Sequence, residues 1–94
     1  MRWIDAMRKA ITDLCSAKSG KSFSRQDLLQ YLEQIKHDAN VSPTAKTPDQ
    51  TMTYYLEKLR DKGEIEFVDN RGHYKVIGGT LALMLSERER GKGR

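Results

Sequence analysis

Ninety-four residues suit one domain with one modest core. A 32% charged and 37% hydrophobic composition reads as globular, and the longest apolar run, Leu81 to Leu85, is far too short to span a membrane. The net charge of +4 is half accounted for by the last eight residues, where Arg88, Arg90, Lys92 and Arg94 face only Glu87 and Glu89, so the +2 of residues 1–86 argues for nucleic acid only through its placement.

The start "MRWIDAMRKA" carries charge among its apolar positions and is not a signal peptide. Trp3, Met7, Ala10, Ile11, Leu14 and Cys15 trace one face of a first helix, with Gly20 as its stop. Phe23 is the apolar residue of a short strand, around Ser22 to Ser24. Ser24 then caps a second helix, with Asp27 at its third position, and Leu28, Tyr31, Leu32 and Ile35 form one stripe along it. The polar loop "HDANVSPTAK", with Asn40 and Pro43, interrupts the pattern. Thr47, Pro48 and Gln50 open a third helix as a capping box with proline in the first turn. Met52, Tyr55, Leu56 and Leu59 line its apolar face, and Gly63 ends it. Ile65 and Phe67 alternate along a strand, and "DNRG" is turn chemistry that puts Gly72 at the left-handed position of a three-residue hairpin loop. Tyr74 and Val76 align on the returning strand. Gly78 and Gly79 suggest a hinge before a fourth helix, from Leu81 to about Arg90, and "GKGR" reads as a frayed tail. The expected architecture is mainly α with a small β-hairpin, an α+β fold in the order helix-strand-helix-helix-strand-strand-helix. Residues 1–79 form the domain, and 80–94 add a helix and basic tail.

That order resembles a winged helix, a helix-turn-helix followed by a hairpin wing. The segment "YLEKLRDKGEIEFVDNRGHYKV" narrows the likeness. Together with Trp3, Phe23 and Asp27, the run Leu59 to Gly63, Ile65 to Phe67, and Arg71, Gly72 and Tyr74 resemble the winged-helix module of Dam-replacing-type, methyl-directed restriction endonucleases. The likeness extends from about Trp3 to Ile77. It implies double-stranded DNA as partner, with the helix 48–62 in the major groove and the wing 65–77 on the backbone or in the minor groove.

The residues offer matching chemistry. Gln50, Thr51, Thr53 and Tyr54 lie off the apolar stripe in the first half of the third helix, with Lys58 flanking, and can meet base edges or phosphates. Glu57 on the same side either accepts from a cytosine amino group or sits beyond the contact. Arg71 at the wing tip, beside Asn70, suits a phosphate or a narrow minor groove, supported by His73 and Lys75. Lys21, Ser24 and Arg25 gather where the second helix begins, and Lys46 and Thr47 precede the third. Leu81, Met84 and Leu85 can face the domain while Leu83 points away, which suggests a homodimer through the last helix.

Catalysis has little support. His37 and His73 lie on different elements, and the lone Cys15 sits on a core stripe. No metal-ligand spacing or glycine-rich nucleotide loop is present. The expectation is a cytoplasmic DNA-binding protein with no cofactor, acting as a small transcription regulator. The alternatives are a winged helix that binds another protein and the DNA-reading module of a restriction-type enzyme.

Overall fold

The computed structural model describes residues 2–39, 48–69 and 72–92. The elements run α1 (Trp3–Lys18), β1 (Ser22–Ser24), α2 (Arg25–Leu29), α3 (Leu32–Asp38), α4 (Pro48–Asp61), β2 (Ile65–Asp69), β3 (His73–Val76) and α5 (Gly79–Lys92). The architecture is α+β, mostly helical with a three-stranded antiparallel sheet in the order β1-β3-β2.

One core unites the elements. Met7, Ile11 and Cys15 of α1, Phe23 of β1, Leu28 of α2, Ile35 of α3 and Met52, Leu56 and Leu59 of α4 are all buried. So are Tyr74 and Val76 of β3 and Leu81 and Leu85 of α5. The expected third-helix stripe is therefore the face that packs inward. In the sheet, Phe23, Tyr74 and Phe67 stand in register across three strands, and their rings lie 5.4 and 5.1 Å apart. Trp3 stacks on Tyr55 at 6.0 Å and ties the start of α1 to α4.

The structure departs from expectation in four places. The second helix is two. Gln30 and Tyr31 donate their N–H groups to Asp27 and Leu28, only three residues back, and Tyr31 sits at φ −96°, ψ 3°. This tight turn redirects the chain so that α3 lies along α1, where Gln34 donates to Asp13 and Lys9 pairs with Asp38. The terminus of α1 also differs. Ser19, not Gly20, adopts the left-handed conformation (φ 58°), with Ser19 N–H on the Ser16 carbonyl and Gly20 N–H on that of Cys15. The end of α4 repeats this pair of bonds, from Gly63 to Arg60 and from Glu64 to Leu59, with Gly63 in the left-handed position (φ 77°). Phe67, aligned with Tyr74 of β3, remains 44% exposed, and what lies over its ring is the Arg60 guanidinium of α4, 4.6 Å away.

Gly78 and Gly79 do not read as a hinge. The chain here is tied to Glu64, whose backbone carbonyl accepts from both Ile77 and Gly78. Gly79 is at φ +67°, and a Cβ there would lie 2.5 Å from Glu64 Cγ. Glu64 itself is 3% exposed. Its carboxylate accepts from Arg8 Nε and Nη2 at 3.1 and 2.7 Å and from the Leu81 N–H at 3.0 Å. One acid thus caps the start of α5, where the helix end favours negative charge, and ties it to α1 and to the α4–β2 junction. Burial alone would raise the Glu64 pKa, but the Arg8 guanidinium and the Leu81 N–H outweigh it and hold the carboxyl below its ordinary value.

Candidate nucleic-acid interface

Three elements converge at the start of α2. Ser24, extended at φ −111°, accepts the Asp27 N–H on its hydroxyl at 3.0 Å and so caps the helix as its sequence implies. Asp27 is held ionised below the usual carboxylate range by Lys18 first and by Ser24 second. The next residue, Arg25, joins this point to the other two elements. Its backbone N–H donates to the Gly72 carbonyl of the wing at 2.8 Å, and its side-chain Nε donates to the Thr53 hydroxyl of α4 at 2.9 Å. Gly72 itself is at φ +79°, which lets the hairpin close against α2, and its α-carbon faces the Arg25 Cβ. Thr53 of α4 and Gly72 of the hairpin are therefore tied to one another through one arginine.

On α4, Gln50 and Tyr54 are exposed, Thr51 and Thr53 are half-buried, and Glu57 and Lys58 are exposed. Lys58 lies over the Tyr54 ring at 5.3 Å, and Tyr54 meets Tyr55 edge-on. On the wing, Arg60 of α4 covers the Phe67 ring at 4.6 Å, and Phe67, Asp69, Gly72 and Tyr74 line an open hollow on the hairpin. Burial pushes the Tyr74 phenol up, with Arg25, Glu57 and Arg60 as the charges acting on it. His73 and Lys75 are exposed on the opposite face of the sheet from Tyr74, as the alternation implies. His73 Nδ1 lies 2.9 Å from Asp69, and Lys75 is in register with Ser22 on one side and Glu66 on the other.

Lys21 is exposed beside β1, in a cleft with Ile77 and Ser86. Lys46, Thr47, Asn70 and Arg71 lie outside the described residues. On α5, Leu81 and Leu85 are buried, Met84 is half-buried and Leu83 is 66% exposed, while Arg88 pairs with Asp13 of α1. Among the described residues, no helix is long and apolar enough to cross a membrane.

Two features escaped sequence reasoning. Arg60 covers Phe67 and Asp69 lines the wing hollow, although neither stands out in the chain. Arg25 was a candidate as a cation for backbone, but its link to Thr53 joins residues 28 apart and has no local signature.

Packed helices, an exposed outer face of α4 and an antiparallel hairpin clamped beside it match a winged helix-turn-helix of the DNA-binding kind. The chain belongs to the family of the Dam-replacing HTH domain, whose model matches residues 2–76, from the start of α1 to the end of the wing. No curated protein and no solved structure matches the chain.

Proposed function

We propose that this protein reads double-stranded DNA, with α4 in the major groove and the wing on the neighbouring backbone or minor groove, and that it acts as a small transcription regulator. The observation that carries this reading is the Arg25 link, which holds α2, Thr53 of α4 and Gly72 of the wing in one fixed arrangement. Gln50, Thr53, Tyr54 and Glu57 follow a spacing of three and four residues and lie together on the side of α4 turned from the core. They rise about 10 Å along the helix, close to three base-pair steps. A second reading, the DNA-reading module of a restriction-type enzyme, is favoured by the family to which the chain belongs. Both readings share the interface and differ in what the bound protein recruits.

In either reading a homodimer through α5 brings Leu83 of each copy together. Burying one leucine stabilises by about 1.5–3 kcal/mol. Two such contributions, about 3–6 kcal/mol, do not exceed the about 4–15 kcal/mol that association costs, so Leu83 alone does not hold a dimer in free solution. Pairing then occurs only on adjacent half-sites, about one helical turn apart.

Selection from a random duplex pool at two salt concentrations tests the reading. The expected result is one enriched sequence, with affinity falling steeply as salt rises. Arg71→Ala should lower the salt slope by roughly one unit and weaken all duplexes alike. No enrichment, together with salt-independent binding or none, refutes duplex reading. For the regulator, bound protein should block transcription from a promoter carrying the selected site; an unaffected promoter leaves the restriction-module reading.

A further inference from the structure

Resting on the DNA-reading function above, we infer that Glu57 is a specificity-determining residue that selects a cytosine in the major groove.

Glu57 lies on the exposed side of α4, one turn beyond Thr53 and Tyr54. Among the described residues its carboxylate makes no hydrogen bond or ion pair. Lys58 and Arg60 on the same helix, and Arg25 of α2, make other contacts. Lys58 covers the Tyr54 ring, Arg60 covers Phe67 and pairs with Asp61, and Arg25 donates to Thr53. The arrangement thus presents an unneutralised acid on the face that meets a polyanion. Such a group repels phosphates, so in a groove it is compatible with binding only opposite a donor.

The base edges decide which donor. Guanine offers N7 and O6 and thymine offers O4, all acceptors that repel a carboxylate. Adenine presents its N6 amino group next to the acceptor N7, which suits an amide better than an acid. Cytosine alone presents an N4 amino donor with no neighbouring acceptor on the same base. A carboxylate at position 57 therefore favours cytosine and penalises the other three. Its distance along the helix from Gln50, about 10 Å, places that cytosine about three base pairs from the base that Gln50 meets.

The test is duplex selection with the wild type, Glu57→Gln and Glu57→Ala. Because the residue is exposed, both variants should fold as the wild type does, as circular dichroism and melting will show. The wild type should select a cytosine at one position by about 5- to 150-fold over other bases. Glu57→Ala should erase preference at that position alone and bind other sequences more tightly. Glu57→Gln should move the preference towards adenine, which an amide contacts through N6 and N7. If both variants gain affinity evenly and every position keeps its preference, Glu57 only repels backbone and the inference fails while duplex reading stands. If the wild type binds no duplex, the proposed function fails and takes the inference with it.

Discussion

Replacing Glu64 by alanine should cost this domain a large part of its stability. The side chain of Glu64 is 5% exposed and that of Arg8 14% exposed. Removing the acid leaves the largely buried guanidinium with only the exposed Asp5 carboxylate, 3.1 Å from Nη1, a loss of about 3 kcal/mol, the low end for breaking a buried pair. It also leaves the Leu81 N–H at the start of α5 without an acceptor, worth about 1 kcal/mol more. A sum near 4 kcal/mol is large against the roughly 5–15 kcal/mol that holds a domain folded. At about 4–8 °C per kcal/mol for a domain of this size, the melting temperature should fall by about 15–30 °C. Glu64→Gln keeps an oxygen for the Leu81 N–H but loses the charge, so it should cost about half as much. Urea unfolding of Arg8→Met, Glu64→Gln and the double variant measures the coupling, which should exceed about 1.5 kcal/mol. The linkage to pH has a definite sign. The folded carboxyl titrates below its unfolded value of 4.5, so its contribution is present above that pH and is lost as pH falls through the folded value. The stability difference between wild type and Glu64→Gln should therefore shrink below about pH 4.5. Additive single losses, or a difference that persists unchanged into acid, would refute the account of Glu64 as the ionic node between α1, the α4–β2 junction and α5.

Ser19→Gly should stabilise the protein by about 0.5–1 kcal/mol, because it relieves a left-handed serine at a helix end built like the one that Gly63 serves at α4; an unchanged urea midpoint would count against it. Gly79→Ala should destabilise by more than about 2 kcal/mol, since its Cβ meets Glu64 Cγ at 2.5 Å and the backbone is at φ +67°; a melting curve like that of the wild type would show that the junction yields. Thr53→Val keeps the shape of the side chain and removes the hydroxyl that Arg25 reaches. It should leave the fold intact while weakening the best duplex site by about 1–3 kcal/mol, measured by fluorescence anisotropy, and equal affinity would sever Arg25 from recognition.

Much of this protein is decided over short distances, and there the sequence suffices. Met52, Leu56 and Leu59 recur at helical spacing, and that face is the one buried. Ser24 meets an amide three residues away, and Gly63 and Gly72 take the left-handed positions of a helix end and a hairpin loop. Each of these is set by interactions within a few residues. The alternation of β3 likewise sorts Tyr74 and Val76 inward and His73 and Lys75 outward, because neighbouring side chains in a strand point to opposite faces. The tertiary structure decided the rest. Glu64 looks like one more acid in "DKGEIE", and nothing near it in the chain announces Arg8, 56 residues earlier. The stripe through Leu28 and Ile35 is consistent with one unbroken helix, and only the attachment of α3 to α1 explains the turn at Gln30 and Tyr31. Phe67 alternates as a core residue, yet it is 44% exposed and is met by the Arg60 guanidinium of α4, a contact that its strand pattern does not announce. Arg25 reads as a surface cation until Thr53 and Gly72 are brought to it. Periodicity reports which face of an element is apolar, but which partner meets a charge is a property of chain segments far apart in sequence.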